Sequence, residues 1–146
     1  MNLLDTLMLA SLQPLRLTAE LKEPLAGDDL QAHVEFRMTP QHEEEPVNGG
    51  FEMLAELRCR VTVAAGEERR ELLVIEHVAR ARYQSRPGAA MNESFFRTSH
   101  ADLGRQLYPL MQQRIAPLFP HFGIAEIRLP LEVVPDKPAA PAGATH

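Results

Sequence analysis

Tryptophan is absent from the 146-residue chain, and cysteine occurs only once, at Cys59. A single cysteine excludes an intrachain disulfide and a zinc site built on several cysteine ligands. Aromatic residues make up 5% of the chain, whereas hydrophobic residues make up 45%. The core must therefore consist mainly of aliphatic side chains and methionine. We expect Cys59, which falls in an alternating apolar run, to be buried among them.

The chain also lacks an excess of positive charge. Its formal net charge is -5, and such a chain is poorly suited to nucleic acids and anionic membrane surfaces, which require basic patches. The apolar N-terminus contains Asp5 and has no Lys or Arg before Arg16. This stretch is unlike a signal peptide and is too short to span a bilayer. We therefore expect a cytoplasmic protein that neither inserts into membranes nor binds nucleic acid.

The length of the chain predicts one domain, over residues 1–134. Within it, residues 127–133 alternate between apolar and polar, but Pro130 restricts this stretch to an edge strand or an extended segment. The remaining residues, 135–146, are rich in Pro and Ala. Because this composition does not support a packed core, it predicts a disordered tail.

Two helices are predicted from apolar residues at helical spacing. The first is a short amphipathic helix over residues 1–13, which Pro14 ends. The second covers about residues 102–119 and carries a long apolar stripe. Because Pro109 would break the interior of this helix, we expect its regular part to begin near Gln106.

Alternation of apolar and polar residues predicts four strands, over residues 15–22, 31–38, 51–63 and about 70–83. The centre of the fourth strand, residues 72–75, is apolar on both faces, which indicates that it is covered on both sides. Residues 65–68 predict a tight hairpin turn. The predicted fold is α+β, a four-stranded antiparallel meander sheet packed with the long helix of the C-terminal half. One sheet and one helix give thin cover for so many apolar residues, so we expect the protein to oligomerise through its sheet and helix faces.

No pattern of catalytic or metal-binding residues emerges from the sequence. No two of the six histidines have the helical spacing of a zinc protease, and none neighbours Cys59. His33 and His77 fall on predicted strands and are interpreted as surface residues. The acidic run from Glu43 to Glu45 lacks the alternating ligands of a calcium loop, and Gly49 precedes a strand rather than a phosphate-binding helix. The sequence thus predicts a protein that is not an enzyme and that uses no cofactor or metal.

Four arginines occupy alternate positions on neighbouring predicted strands: Arg58, Arg60, Arg80 and Arg82. Glutamates share the same faces of these strands, at Glu52, Glu56 and Glu76. Opposite charges on adjacent strands stabilise a sheet. The pattern therefore predicts cross-strand ion pairs rather than an isolated basic stripe.

Three stretches, taken in order, resemble the SecB family of bacterial protein-export chaperones. The first runs from Phe51 to Glu68, with an aromatic-Glu start, a Val-Thr-Val end and a Gly-Glu-Glu turn. The second, residues 107–109, reads Leu-Tyr-Pro and is similar to the family's Leu-Phe-Pro. The third, residues 127–131, reads Ile-Arg-Leu-Pro-Leu and is similar to the family's Leu-x-Leu-x-Pro-Val. The resemblance extends over about residues 12–134.

This resemblance implies a fold of four antiparallel strands with helices, assembled as a dimer of dimers, which is a homotetramer. Members of the family bind no cofactor and catalyse no reaction. They hold precursor proteins unfolded in long apolar grooves and deliver them to the SecA translocation motor through acidic residues on the outer face of the sheet. Relatives with this fold serve toxin–antitoxin systems as dedicated chaperones. The chain departs from the family where a Pro/Ala tail replaces the second long helix.

Candidate residues follow for both functions. Met and Leu suit a groove that accepts different clients, because their flexible side chains repack around each one. The candidate groove residues are Met8, Met53, Leu54, Tyr83, Phe95, Phe96 and Met111, of which the two phenylalanines are predicted to lie in a connecting loop. For the acidic docking face, the resemblance points to the neighbourhood of Glu20, Glu23 and Glu76.

Three alternatives to a general chaperone remain open. The fold would also serve a dedicated chaperone or adaptor for one toxin, antitoxin or effector, and the missing second helix favours this reading. A structural assembly subunit would bind no unfolded chains. An enzyme would require a pocket with convergent polar groups.

Overall fold

A computed structural model describes residues 7–24, 29–41, 50–85, 93–124 and 127–130. These residues form one four-stranded sheet, one long helix and one short helix. Their bounds are β1 Leu7–Leu21, β2 Gln31–Gln41, β3 Gly50–Ala65, β4 Glu68–Ser85, α1 Glu93–Ile115 and α2 Leu118–His121.

The sheet is antiparallel throughout, with the strand order β1-β4-β3-β2. The prediction of a four-stranded antiparallel sheet with a helix in the C-terminal half is confirmed. The meander order is wrong, because β1 pairs with β4 and not with β2, which gives a Greek-key arrangement. Alternation along the chain identifies strands but carries no information on which strand lies beside which. Consequently β1 and β2 are the two edge strands.

The predicted N-terminal helix is wrong for residues 7–13, which belong to β1, and residues 1–6 lie outside the described residues. The apolar residues that suggested the helix do not share one face of the strand. Met8 lies opposite Gln84 and Leu12 lies opposite Ala81, and these two residues of β4 are on different faces of the sheet. Apolar residues on both faces of an irregular strand can therefore show helical spacing by coincidence. Pro14 does not end the element, because an edge strand tolerates a residue without an N–H.

The long helix differs from the prediction at both ends and in its interior. It begins at Glu93 rather than near residue 102, so Phe95 and Phe96 belong to the helix and not to a loop. Pro109 lies inside α1 and is exposed, so water can reach the backbone carbonyl left without a helical partner. The regular helix ends at Ile115, and the short helix α2 follows it.

The core lies between α1 and the face of the sheet that packs against it, here called the inner face. It includes Cys59, which is fully buried as predicted. Burial raises the pKa of this thiol to about 11. The ring of Tyr108 on α1 packs against Phe36 on β2, and its hydroxyl donates a hydrogen bond of 2.7 Å to the carbonyl of Pro130. Residues 127–130 have no regular secondary structure and lie outside the sheet.

The β3–β4 hairpin has a two-residue loop, in which Gly66 has a φ of +68°. The hairpin turn predicted at residues 65–68 is confirmed. Farther along β4, Leu73 is buried in the core and Val74, on the opposite face, is almost fully buried as well. The prediction that the centre of this strand is covered on both sides is therefore confirmed.

Candidate functional site

The exposed large hydrophobic side chains of the described residues all lie on β1. Met8 is 50% exposed, and three leucines are 43 to 45% exposed, at Leu15, Leu17 and Leu21. One side of β1 pairs with β4, and no described strand pairs with the other side. An edge strand with apolar side chains is a template for binding another extended chain.

The register places two of these leucines on the inner face. Leu17 lies opposite His77 and Leu21 lies opposite Leu73, both of which point away from solvent in β4. Farther towards the start of β1, Arg114 of α1 reaches the strand and donates a hydrogen bond of 2.6 Å to the carbonyl of Leu12. The apolar inner face thus continues beyond the core and reaches the edge of the sheet at Leu17 and Leu21.

His77 fixes β1 at its second bulge. This side chain is 1% exposed, and its Nδ1 lies 3.0 Å from the carbonyl of Arg16. Because a carbonyl only accepts, Nδ1 carries the proton. The interpretation of His77 as a surface residue is wrong, because its position in β4 faces the core. His33 is exposed on the other face of the sheet, so the two histidines do not approach each other.

The structure does not bring the sequence-predicted groove residues together. Met53, Tyr83 and Met111 are buried in the core. Leu54 is half-buried on the opposite face of the sheet, called the outer face, and Met8 is exposed on that same face of β1. The side chains of Phe95 and Phe96 lie outside the described residues, although their backbone is part of α1.

Sequence reasoning missed Leu15, Leu17 and Leu21 as surface residues. Their alternation with polar residues was sufficient to predict a strand with one apolar face. It did not reveal that the strand is an edge, where that face is only half covered. The available signal was Pro14 directly before this apolar face, because proline within a sheet is confined to edge strands, to the first residue of a strand or to bulges.

Cross-strand ion pairs cover the outer face, as predicted. Arg60 of β3 binds Glu35 of β2 with 3.0 Å between nitrogen and oxygen. The remaining pairs share carboxylates: Glu76 lies 3.6 Å from Arg16 and 3.5 Å from Arg58, and Glu52 lies 2.6 Å from Arg82 and 3.9 Å from Arg80.

The three candidate acidic docking residues each have a basic neighbour. Glu76 lies between two arginines, Glu20 lies 3.6 Å from Lys22, and Glu23 forms an ion pair with Arg70. Neighbouring cations reduce the negative potential that a basic partner would meet. The negative charge of these three glutamates is therefore partly offset.

The connection from β1 to β2 is anchored at both of its described ends. After β1, the N–H of Lys22 donates a hydrogen bond of 2.6 Å to the carbonyl of Leu72. Before β2, the carbonyl of Asp29 accepts a bond of 2.8 Å from Arg69, whose Nε also donates to the hydroxyl of Thr62. These bonds hold the two edge strands at fixed positions on the β3–β4 hairpin.

The described residues contain no cluster of three or more His, Cys, Asp or Glu side chains that could hold a metal ion. Among them, no helix has both the length and the apolar character needed to cross a membrane. Burial raises the pKa of Tyr108 to about 12 and also raises the pKa of Tyr83. These phenols, like the thiol of Cys59, stay protonated at neutral pH and are poor nucleophiles.

The fold is similar to that of a solved chaperone complex. No protein-family model and no curated protein sequence matches the chain. A matching solved structure is that of the Mycobacterium tuberculosis Rv1957 SecB-like chaperone in complex with a ChAD peptide from the Rv1956 HigA1 antitoxin. The similarity covers 95% of each chain, with a TM-score of 0.63 and 17% sequence identity. The edge strand, the sheet order and the long helix described above thus belong to a SecB-like fold.

Proposed function

We propose that this protein is a non-enzymatic chaperone that binds extended or unfolded polypeptide segments. The observation that carries the proposal is the edge strand β1, where an unpaired backbone edge coincides with the exposed leucines. The SecB-like fold supports it, because the mycobacterial chaperone is bound to a peptide from another protein.

Binding would occur by strand addition along β1. The backbone of an extended client would pair with the free N–H and C=O groups of the edge. Its side chains on the inner face would cover Leu17 and Leu21, which stabilises the complex by about 25 cal/mol for each Å² of apolar area removed from water. Because backbone bonds do not depend on client sequence, this mode suits many clients.

The bulges divide β1 into a regular part and an irregular part. Register shifts fall between Leu9 and Ser11 and between Pro14 and Arg16. Bulges and proline disturb strand pairing at an edge and so protect it from uncontrolled association. The regular stretch from Arg16 to Leu21 is therefore the part of β1 that would accept a client strand.

A fluorescence titration tests this function. Reduced, carboxymethylated α-lactalbumin serves as a permanently unfolded client, and native α-lactalbumin serves as the control. We expect the unfolded form alone to bind, with a dissociation constant of about 1 μM or below, which corresponds to roughly 8 kcal/mol. Absence of binding to the unfolded form would contradict general chaperone activity.

A second candidate is a dedicated chaperone for one partner, such as an antitoxin. Two observations favour it: the mycobacterial chaperone carries an antitoxin peptide, and Glu20, Glu23 and Glu76 are paired with cations. Competition between unfolded α-lactalbumin and candidate partners encoded by neighbouring genes would distinguish the two. A dedicated chaperone would prefer one partner by orders of magnitude.

The resemblance to SecB extends the proposal to assembly and cellular role. We expect a homotetramer in the cytoplasm that keeps clients competent for export or assembly. Delivery to SecA would require an acidic outer face, and the paired glutamates do not support this step. A direct binding assay with purified SecA would test it, and saturable binding abolished by Glu76→Gln would support delivery.

A further inference from the structure

We propose that the outer face of the sheet is a second docking surface, which binds an acidic polypeptide segment. The surface is centred on an arginine patch, defined as Arg16, Arg58, Arg80 and Arg82 together with their shared carboxylates, Glu52 and Glu76. It lies on the face opposite the core and is distinct from the inner-face leucines of β1.

The arginine patch contains more positive than negative side chains. Four guanidinium groups share two carboxylates, so the patch has a surplus of two positive charges in a chain whose formal net charge is -5. Glu56 lies beside the patch, but its cross-strand neighbour on β2 is Arg37, so including both residues leaves the charge count unchanged. The surplus is therefore local and positive.

The arginine side chains of the patch are more exposed than the carboxylates that they bind. The Glu52 side chain is 17% exposed, whereas the Arg82 side chain that binds it is 60% exposed. At Glu76 the same order holds, because Arg16 and Arg58 are both more exposed than the carboxylate between them. A partner approaching this face would meet guanidinium groups first, with the carboxylates beneath them.

The donor geometry favours carboxylates as ligands. Within the described part of the chain, Arg82 donates to Glu52 through Nε alone, which leaves its terminal nitrogens for a partner. Arg58 and Arg80 likewise approach their carboxylates through Nε, at 3.5 and 3.9 Å. Terminal guanidinium nitrogens bind carboxylates with two parallel hydrogen bonds. Leu54 and Val78, both half-buried within the patch, would contact apolar side chains of the same partner.

An acidic polypeptide fits this surface better than a nucleic acid. A phosphate backbone carries a charge at every nucleotide, and a continuous charge would also pass over Glu52, Glu56 and Glu76. A polypeptide can place carboxylates over the arginines and neutral side chains elsewhere. Client binding at β1 does not require this surface, so a chain bound here would be a different partner.

Fluorescence anisotropy tests the proposal with a short labelled peptide of alternating Glu and Ser around a central Leu. We expect it to bind, and we expect the analogues with Gln or Lys in place of Glu not to bind. Raising the salt from about 50 mM to about 300 mM should weaken binding, because screening shortens the range of charge interactions. Arg80→Gln/Arg82→Gln should reduce affinity roughly fivefold to tenfold.

Two further variants separate docking from loss of folding. Arg105→Gln/Arg128→Gln removes the same charge from exposed positions elsewhere, and it should leave affinity nearly unchanged. Glu52→Gln frees two arginines of their shared carboxylate and should increase affinity. The proposal is overturned if the acidic peptide does not bind, or if single-stranded DNA or the Lys peptide binds more tightly. It is also overturned if both double variants reduce the affinity for the acidic peptide equally, or if Glu52→Gln reduces that affinity. Unfolded α-lactalbumin should bind the Arg80→Gln/Arg82→Gln variant as it binds the parent protein.

Discussion

At the scale of single residues, buried polar groups show most clearly how the edge strand is held. His77 is the one histidine of the described strands that is buried, and its ring joins the centre of β4 to the backbone of Arg16. The bond lies at the bulge where β1 changes register. A bulge leaves backbone groups without their regular ladder partners, and the imidazole satisfies one of them.

Replacement of His77 should therefore destabilise the protein. His77→Leu removes the hydrogen-bond donor of the Arg16 carbonyl. The loss of this bond should lower the free energy of unfolding by about 1–3 kcal/mol. Urea denaturation measures the loss. His33→Leu is the matched control, because His33 is exposed on β2, and it should change stability by less than about 0.5 kcal/mol. Equal effects of the two changes would contradict the role assigned to His77.

Buried acidic protons make the fold sensitive to alkali. Burial raises the pKa of Cys59 to about 11 from an ordinary value of 9.0, so the folded chain keeps a proton that the unfolded chain releases first. The contribution of this thiol to the free energy of unfolding is fully present below pH 9.0. It is lost as the pH rises from there to about 11, by roughly 1.4 kcal/mol per pH unit. Denaturation at a series of pH values measures this slope. Cys59→Ala should make it shallower, and an unchanged slope would exclude the thiol as its cause.

At the scale of elements, most strands could be predicted from the sequence, because alternation is a local property. β3 and β4 were placed to within a few residues, and Gly66 identified their turn. The start of β1 could not be predicted, because its apolar residues, such as Met8 and Leu9, lie on both faces and do not alternate with polar ones. Pro109 argues for a regular helix that begins near Gln106, yet α1 begins at Glu93 and includes the proline, because tertiary packing overrides local preference.

The candidate site was harder to predict than the elements that carry it. The chemistry of methionine favours Met53 and Met111 as groove residues, yet they lie in the core. Whether an apolar face is covered depends on neighbours that are distant in sequence. The exposure of Leu17 follows from the position of β1 at an edge, and that position follows from pairing with β4.

The leucines of β1 provide the test at this scale. Leu17→Gln/Leu21→Gln should weaken binding of unfolded α-lactalbumin by about tenfold, because apolar area no longer becomes buried in the complex. Both side chains are partly exposed, so stability should change little. The control is Met8→Gln, which alters an equally exposed side chain of the same strand on the outer face. Leu54→Glu tests the sequence-based groove, and weaker client binding in this variant alone would favour that groove over β1.

At the scale of the whole molecule, the two faces of the sheet have different chemistry. The inner face is apolar and extends to the edge at Leu17 and Leu21, whereas the outer face carries the arginine patch. Under the two proposals, one sheet would hold a client at its edge and a second partner on its outer face. The two kinds of partner would differ in salt dependence, because screening weakens charge interactions more than apolar ones.

The assembly state is the prediction for the whole molecule. The chain has a mass of 16.3 kDa, and we expect size-exclusion chromatography with light scattering to give about four times this value. Exposed apolar side chains on an edge strand favour association. A mass that falls in Leu17→Lys would place β1 in the assembly interface rather than in client binding. A monomer at every concentration would contradict the tetramer.

The pairing of β1 with β4 has a consequence for synthesis on the ribosome. Leu21 pairs with Leu73 and Leu7 pairs with Ser85. Since the partner residues are synthesised much later, the first strand leaves the exit tunnel long before β4. At about 5–20 residues per second, the delay is several seconds. The β3–β4 hairpin, with its two-residue loop, can close as soon as it emerges. During translation, the apolar side chains of β1 therefore stay unpaired until β4 has been synthesised. In that interval the nascent chain itself resembles the extended polypeptides that the finished protein is proposed to bind.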